Sequence, residues 1–537
     1  MSSLWYLATD CILLFIFAWI IEDCILALGV EPPIPGIKQI PSYPIVGNLL
    51  QVKNNPAKVY LKWSKFYKVP VFQVRLGFRN IVVANSYQSV EFLWGKSASA
   101  NNSRPTLHIF HNIVSQSQGF TIGSSPASSS LFKTKQALSL ELNRKSVNII
   151  AEQLDQQVKY AIRMIIRNNV ELKGSPSTFM SHVRSRLSDI DLLPYFQLFA
   201  LRSAIQLTYG ITLDCYGKHS RLSQEIIEVE NQIIKLRGQG SWLPDFLPFL
   251  KYFGNWELLA SKYRLRRDNY MNELSREFKK RYSNNDVAAR TSLLGRLYKN
   301  SSHLAHHELN SICLTMVSAG LDNTPLTINH LMGHLSRPDY GYALQQVAFS
   351  QLLNCYGDIN DAWNNCGTNM ECNFVVALVQ EALRFFTVLP LSLPRKTTKV
   401  IKFNGVVIPE GTVLYMNAYA ANHDSVKFLN PMKFDPFRWL VPRTMKLKDR
   451  REMDHFAFGA GSRKCSGNIL ATQEMYSMIC RLILIFRIRR PIEEAMELDP
   501  FESNACPSAT SFEPKRFKVH LEPRCHEGSD SLYRLLQ

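Results

Sequence analysis

One cysteine in a glycine-rich loop constrains this chain more than any other feature. Residues 458–467 read Phe458-Gly459-Ala460-Gly461-Ser462-Arg463-Lys464-Cys465-Ser466-Gly467, and an apolar run of helical period follows from Ile469 to Ile488. The glycines let backbone amides approach the sulfur, and those N–H groups temper its charge. The oncoming helix points its positive end at the same atom, which favours the thiolate. Such a loop can hold a thiolate against a metal, with Arg463 placed to pair with a carboxylate of a bound cofactor. The competing reading is a structural cysteine in a glycine turn. A zinc site lacks support, because no companion ligands lie near Cys465.

Three other stretches carry chemistry or support it. Glu308 to His334 reads as a long apolar helix containing Ser318-Ala319-Gly320-Leu321-Asp322-Asn323-Thr324-Pro325. Gly320 and Pro325 are poor interior helix residues. Pro325 offers no N–H to the carbonyl of Leu321 and pushes against it, so the helix is expected to open locally and leave carbonyls for water. A wet notch with Asp322 and Thr324 could relay protons; a kinked core helix with capping polar groups is the plainer alternative. Phe374 to Phe386 is helical by period, and Glu381 and Arg384 share a face. Alone, that pair would be a surface ion pair of little value. The segment Phe434-Asp435-Pro436-Phe437-Arg438-Trp439 follows.

The pattern Phe-x-x-Gly-x-Arg-x-Cys-x-Gly, met at Phe458, Gly461, Arg463, Cys465 and Gly467, resembles the haem-binding loop of the cytochrome P-450 monooxygenases. Ala319, Gly320 and Asp322 match that family's Ala-Gly-x-Asp/Glu-Thr. Glu381 and Arg384 match its E-x-x-R, and Pro436 and Arg438 its Pro-x-Arg, all in the family's order. The resemblance implies the cytochrome P-450 fold, mainly α with a smaller β-rich part and haem b (iron protoporphyrin IX) between. It makes Cys465 the axial iron ligand, with Phe458, Gly461, Arg463, Gly467 and a propionate-binding Arg395 around the cofactor. Asp322, Asn323 and Thr324 would be catalytic, and Glu381, Arg384 and Arg438 a structural triad locking the loop that leads to Cys465. Two departures stand out. Asn323 occupies the threonine position, with Thr324 one place later, and an amide is not an equivalent alcohol. Ala127 falls where a tryptophan is expected, with Lys133 and Lys135 as the nearby bases.

The resemblance also implies partners and a reaction. A cysteine thiolate donates electron density through iron and favours O–O cleavage, so one atom of O2 reaches the substrate. Electrons would come from NADPH through a separate flavoprotein, NADPH-cytochrome P-450 reductase, with cytochrome b5 as an auxiliary donor. No dinucleotide-binding glycine fingerprint occurs in the chain itself. Ser103 to Gly123, Tyr195 to Ile211, Tyr415 to Asp424, Gly459 to Cys465 and Asn504 to Val519 are similar to the fungal phenylacetate hydroxylases, a branch of this family. That likeness implies ring hydroxylation of phenylacetate or a hydroxyphenylacetate in phenylalanine catabolism. Another small aromatic or secondary metabolite is an alternative, because a pocket methylene shifts discrimination by only about 1–3 kcal/mol. A haem-binding relative with weak or lost activity is another, motivated by Asn323 and Ala127. Ser103 to Gly123 would lie over the haem, and Val388, Leu389, Leu391 and Ser392 would border the substrate. The loop Glu502 to Thr510 would return toward the pocket. A buried base should meet the substrate carboxylate, and the sequence does not name it.

Composition limits partners and compartments. Lysine plus arginine number 62 against 44 acids, a formal charge of +18, but the basic residues are scattered and lack interleaved aromatic platforms. Nucleic-acid binding is therefore disfavoured, whereas a basic face suits an anionic membrane or an acidic electron donor. The 11 cysteines form no CxxC pairs, which points to a reducing compartment. Residues 4–30 are apolar but interrupted by Asp10, Glu22 and Asp23, and a proline-rich turn follows. We expect a membrane anchor at 1–30, a proline-rich hinge at 31–45, one catalytic domain at 46–523 and a tail at 524–537. In the resembled family, anchor then hinge implies the endoplasmic reticulum membrane, with the catalytic domain facing the cytosol. Hairpins are expected at Val71–Leu76 with Ile81–Ala84, and around Asn404-Gly405; Val413–Met416 and Phe517–Val519 read as further strands. His108 and His111 read as packing or surface histidines.

Overall fold

The computed structural model describes residues 30–169, 189–213, 218–237, 239–252, 255–301, 303–491 and 496–524. Ten helices of ten or more residues occur among them: α1 (Pro56–Tyr67), α2 (Ser129–Glu141), α3 (Arg144–Asn169), α4 (Leu193–Tyr209), α5 (Lys218–Leu236), α6 (Trp256–Ser283), α7 (His306–Leu335), α8 (Gly341–Tyr356), α9 (Asn373–Phe386) and α10 (Asn468–Ile485). The strands are β1 (Val71–Leu76), β2 (Arg79–Ala84), β3 (Arg395–Lys396), β4 (Ile401–Phe403), β5 (Val406–Ile408), β6 (Val413–Met416), β7 (Phe486–Arg489) and β8 (His520–Pro523). The arrangement is mainly helical with a smaller β-rich part, as expected.

The main sheet has the order β1-β2-β6-β3. β1 and β2 form the expected antiparallel hairpin about Gly77, which takes a left-handed φ of +56°. β6 joins β2 in parallel, with Ile81 opposite Val413. β4 and β5 turn at Asn404-Gly405, both at positive φ, as a two-residue hairpin loop of this type requires. The proline-rich stretch 31–45 lies against the first hairpin. The Gln73 amide accepts from the Ile34 N–H at 2.9 Å and donates to the carbonyls of Ile34 and Ile37.

Two expectations need correction. The apolar run after Cys465 does not stay helical to Ile488. It ends at Ile485 and becomes β7, whose Phe486 and Ile488 are buried while Arg487 is exposed. Strand alternation takes over because β8 pairs with it, and β8 begins at His520, just after the expected Phe517–Val519; Val519 makes a single bridge to Ile190. The expected anchor and tail fall on residues 1–29 and 525–537, outside the described residues. Among the described residues no helix is long and apolar enough to cross a membrane.

Helix α7 ties the interior together. Its C-terminal half, from Ile328 to Leu335, enters a large apolar cluster with α3, α8, α9 and α10. Its N-terminal half, from Cys313 to Leu321, enters a second cluster with α4, α5 and α6. Burial of side chains this size stabilises each cluster by roughly 1.5–3 kcal/mol apiece. Residues 319–324 lie between the two clusters, and there the interior opens into a cavity.

Candidate active site

The cavity offers about 320 Å³ to the centres of water-sized molecules. Asp322, Asn323 and Thr324 of α7 share its lining with Phe458, Arg463, Cys465 and Gly467 of the cysteine loop. Residues 140 positions apart in the chain thus converge, as the sequence reading requires. The Cys465 side chain faces this space.

The loop is shaped to present the sulfur. The Cys465 N–H donates to the Phe458 carbonyl at 3.0 Å, and that of Gly459 to Phe456 at 2.9 Å. Gly459 and Gly461 sit at φ +68° and +59°. A Cβ on Gly461 would collide with the Trp94 carbonyl, so this glycine acts by letting the loop close on Trp94; it does not line the cavity. Burial pushes the Cys465 thiol up, while the Gly467 N–H, Lys135 and Lys464 pull it back toward the thiolate.

Behind the loop, Glu381 organises a buried polar knot. Its carboxylate accepts from Arg384 Nε at 2.9 Å and Nη2 at 2.8 Å, and from Arg438 Nε at 3.1 Å. The Trp439 indole and the Asp435 N–H donate to it as well, at 3.0 and 2.9 Å. Arg384 Nη1 donates to the Asn422 carbonyl at 2.7 Å, and the Asn422 side-chain oxygen accepts from the Phe456 N–H at 2.8 Å. The triad thus reaches the cysteine loop through Asn422. Trp439 had no sequence signal beyond adjoining Arg438, and Asn422 had none of its own.

On another wall the cations gather without acids. Arg463 donates to the carbonyls of Asn102, Ile122, Gly123 and Ser125 at 2.8–3.2 Å. Arg395 donates to the carbonyls of Asn101 and Ala460, and Arg104 to Gly123, Leu393 and Pro394. Lys135 reaches the Ser462 carbonyl, whereas Lys133 is exposed. Burial and then mutual repulsion lower Lys135 to about 8 and Arg395 to about 9; burial lowers Arg463 to about 10. Four cations facing one cavity, with no carboxylate beside them among the described residues, fit a dianionic ligand such as the two propionates of haem. Arg104 and Lys135 join the Arg395 and Arg463 read from sequence; the basic position beyond Ala127 is filled by Lys135. The Ala127 N–H donates to Ser103 Oγ at 3.0 Å, and Ala127 does not line the cavity.

The notch differs from expectation. α7 runs unbroken through Pro325. The Ala319 carbonyl accepts from the Asn323 side-chain amide at 3.2 Å, so Asn323 folds back on its own helix. Beside Gly320 an added Cβ would meet nothing within 4 Å, so the opening comes from the missing side chain rather than from a broken helix. Asp322 is pushed up to about 7, first by burial, then by Glu513 and Glu230, against the pull of Arg237 and Lys235.

The remaining expectations are mixed. Val388, Leu389 and Ser392 line the cavity, but Leu391 turns into the neighbouring apolar cluster and borders only a small adjacent pocket. Arg104, Thr121, Ile122 and Gly123 bring in the Ser103–Gly123 stretch, and Thr510 the returning loop. His111 is buried, accepting from the Leu107 N–H at 2.8 Å, and His108 pairs with Glu257 at 3.0 Å, so both are packing or surface groups. Among the described residues no group of three or more His, Cys, Asp or Glu could hold a separate metal ion.

A cavity joining a loop-held cysteine, a set of acid-free cations and a helical acid defines the site of a haem-thiolate enzyme. The family model for cytochrome P-450 matches residues 38–520, and the chain belongs to that family, as a monooxygenase. It is 38% identical over 496 residues to the phenylacetate 2-hydroxylase of Emericella nidulans, covering 92% of this chain and 91% of the relative. To the 3-hydroxyphenylacetate 6-hydroxylase of the same organism it is 33% identical over 498 residues, 91% and 89% of the two chains. A cytochrome P-450 monooxygenase of Mycosarcoma maydis is 31% identical over 496 residues, 90% and 86% of the two.

Proposed function

We propose that this monooxygenase hydroxylates the ring of a small aromatic acid, phenylacetate or a hydroxyphenylacetate. The observation that carries the reading is the single cavity shared by Cys465 and the Asp322–Thr324 segment, in a chain similar throughout to hydroxylases of phenylacetate and 3-hydroxyphenylacetate. A haem-thiolate, when bound, activates O2 so that one oxygen atom enters the substrate and the other leaves as water. Cys465 Sγ would ligate the haem iron, and the Gly467 N–H would keep its charge in check. Arg104, Lys135, Arg395 and Arg463 would hold the propionates. Asp322, pushed up to about 7, is partly protonated at neutral pH and can pass that proton into the cavity beside the Thr324 hydroxyl. Val388 and Leu389 exclude water from the substrate side. Electrons come from NADPH through a separate flavoprotein reductase, at an endoplasmic reticulum membrane reached by the N-terminal apolar stretch; the formal charge of +18 suits an anionic membrane or an acidic donor.

The test is reconstitution of the full chain with haem, reductase and NADPH, offered phenylacetate and 3-hydroxyphenylacetate under isotopically labelled O2. One labelled oxygen in a ring hydroxyl supports the reading, and its loss in Cys465→Ala ties it to the sulfur. A normal carbon monoxide spectrum of the reduced protein, with no oxidation of any small aromatic acid or neutral aromatic, would favour a haem-binding relative with lost activity. The inward-folded Asn323 amide is the observation behind that second reading.

A further inference from the structure

The carboxylate of an aryl acid is the costliest part of such a substrate to bury, so a cavity that takes it needs a cation or strong donors. Among the described residues the cavity has one cation, Arg237, outside the group beside the cysteine loop. Arg237, just past the end of α5, borders both the main cavity and an adjoining apolar pocket lined by Leu107, Phe110 and Pro394. Its guanidinium lies 4.0 Å from the centroid of the Phe110 ring, which fixes its plane. Its Nε is buried with no partner, and no side-chain hydrogen bond or ion pair joins it to another described residue.

The surrounding acids do not neutralise it. Glu230 is bound by Arg267 at 2.8 and 2.6 Å and by the Tyr270 hydroxyl at 2.6 Å. Asp322, held near 7, is only partly ionised at neutral pH. Arg237 itself falls to about 10, chiefly through burial and then Arg267, so it stays cationic. A second orphan borders the same two spaces: the Thr510 hydroxyl is buried with no partner. Two buried polar groups without protein partners on one wall of this cavity suit a polar ligand.

We infer that Arg237, assisted by Thr510, receives the carboxylate of the aryl-acid substrate and makes the cavity selective for acids over neutral aromatics. This rests on the aryl-acid reading above. Arg104 also faces both spaces, but it lies beside Arg395 and Arg463, in the group that would hold the haem propionates. The two ring nitrogens of His111, which lies near Arg237, are taken by the Leu107 N–H and the Ser124 carbonyl. Arg237 therefore remains as the cation whose donors are free among the described residues.

The test is equilibrium dialysis of labelled phenylacetate, and of its methyl ester as the neutral analogue, against the haem-loaded full chain. Wild type should prefer the acid. Arg237→Gln should weaken acid binding roughly 10- to 100-fold, the range for one charge-assisted hydrogen-bonded contact, and change ester binding by less than about twofold. Arg237→Lys should recover part of the loss, since it restores charge without the planar fork. Thr510→Val should show a smaller loss confined to the acid. Haem content and thermal midpoint establish that each variant folds; if Arg237→Gln does not, the Lys and Val variants decide. Equal weakening of acid and ester, or unchanged acid binding in Arg237→Gln, overturns the inference while leaving ring hydroxylation intact. Wild type that binds the ester as tightly as the acid overturns it too. Wild type that loads haem and binds neutral aromatics but no aryl acid defeats the aryl-acid reading first, and this inference with it.

Discussion

Replacing Glu381 by glutamine should unfasten the cysteine loop without touching the cavity. The wild-type carboxylate is fully buried and receives five hydrogen bonds, three of them from Arg384 and Arg438. An amide of the same shape keeps one acceptor oxygen but turns an NH2 toward donors and removes the charge that two guanidinium groups share. Breaking one partner of a buried pair costs about 3–5 kcal/mol, because the fully buried Arg384 is left uncompensated. A specific unfolding entropy of about 2.1 cal/mol/K per residue, over 537 residues, makes that a fall of roughly 3–4 °C in thermal midpoint. Trp439→Phe removes one donor and should cost about 1 kcal/mol, or roughly 1 °C. Lys58→Gln breaks an ion pair whose side chains are 53% and 59% exposed, and should shift nothing measurable. Calorimetry of the three variants gives the ranking. The haem-to-protein ratio and the carbon monoxide spectrum report whether the Asn422–Phe456 connection transmits the damage to Cys465. A Glu381→Gln protein within 1 °C of wild type, with full haem and an unchanged spectrum, would refute the coupling.

Other outcomes follow from burial and geometry. Asp322 is protonated below its value of about 7, so product formed per NADPH should fall as pH rises through 7, and Asp322→Asn should remove that inflection as well as most turnover. His330, His423 and His455 are depressed by burial to about 4, 3 and 3, so each is neutral in the fold and takes a proton on unfolding below its ordinary value of 6.5. Their contribution is present above pH 6.5 and lost as pH falls. Near pH 5 the three alone steepen the loss to about 4 kcal/mol per pH unit, which denaturant titrations across pH 4.5–7 would show or deny. Gly461→Ala forces a side chain onto the Trp94 carbonyl at positive φ; a loss of about 1–3 kcal/mol with weakened haem retention is expected by thermal melt and absorbance.

Much of this site was legible because its residues are few and chemically unusual. A cysteine among glycines, a proline inside an apolar helix and an E-x-x-R pair each break a local rule, and such breaks concentrate at functional positions. What the sequence hid were partners whose identity is ordinary. Asn422 and Trp439 are common residue types made important by what folds beside them. Lys133 and Lys135 read alike until helix α2 turns one to solvent and the other to Ser462. Arg237 looks like any basic residue at a helix end, and only its place on the cavity wall with an unpartnered Nε distinguishes it. The helix after Cys465 ran long on paper because a buried strand and a buried helix share the same apolar run, and the pairing that ends it lies in a distant segment.

The parallel pairing of β2 with β6 has a consequence during synthesis. Ile81 must wait for Val413, which leaves the ribosome about 330 residues later. At 5–20 residues per second that is roughly 20–70 s in which one rim of the nascent hairpin stays open to other chains. The interval when this protein is most prone to aggregate is therefore set by translation speed, and slow codons between the two strands would lengthen it.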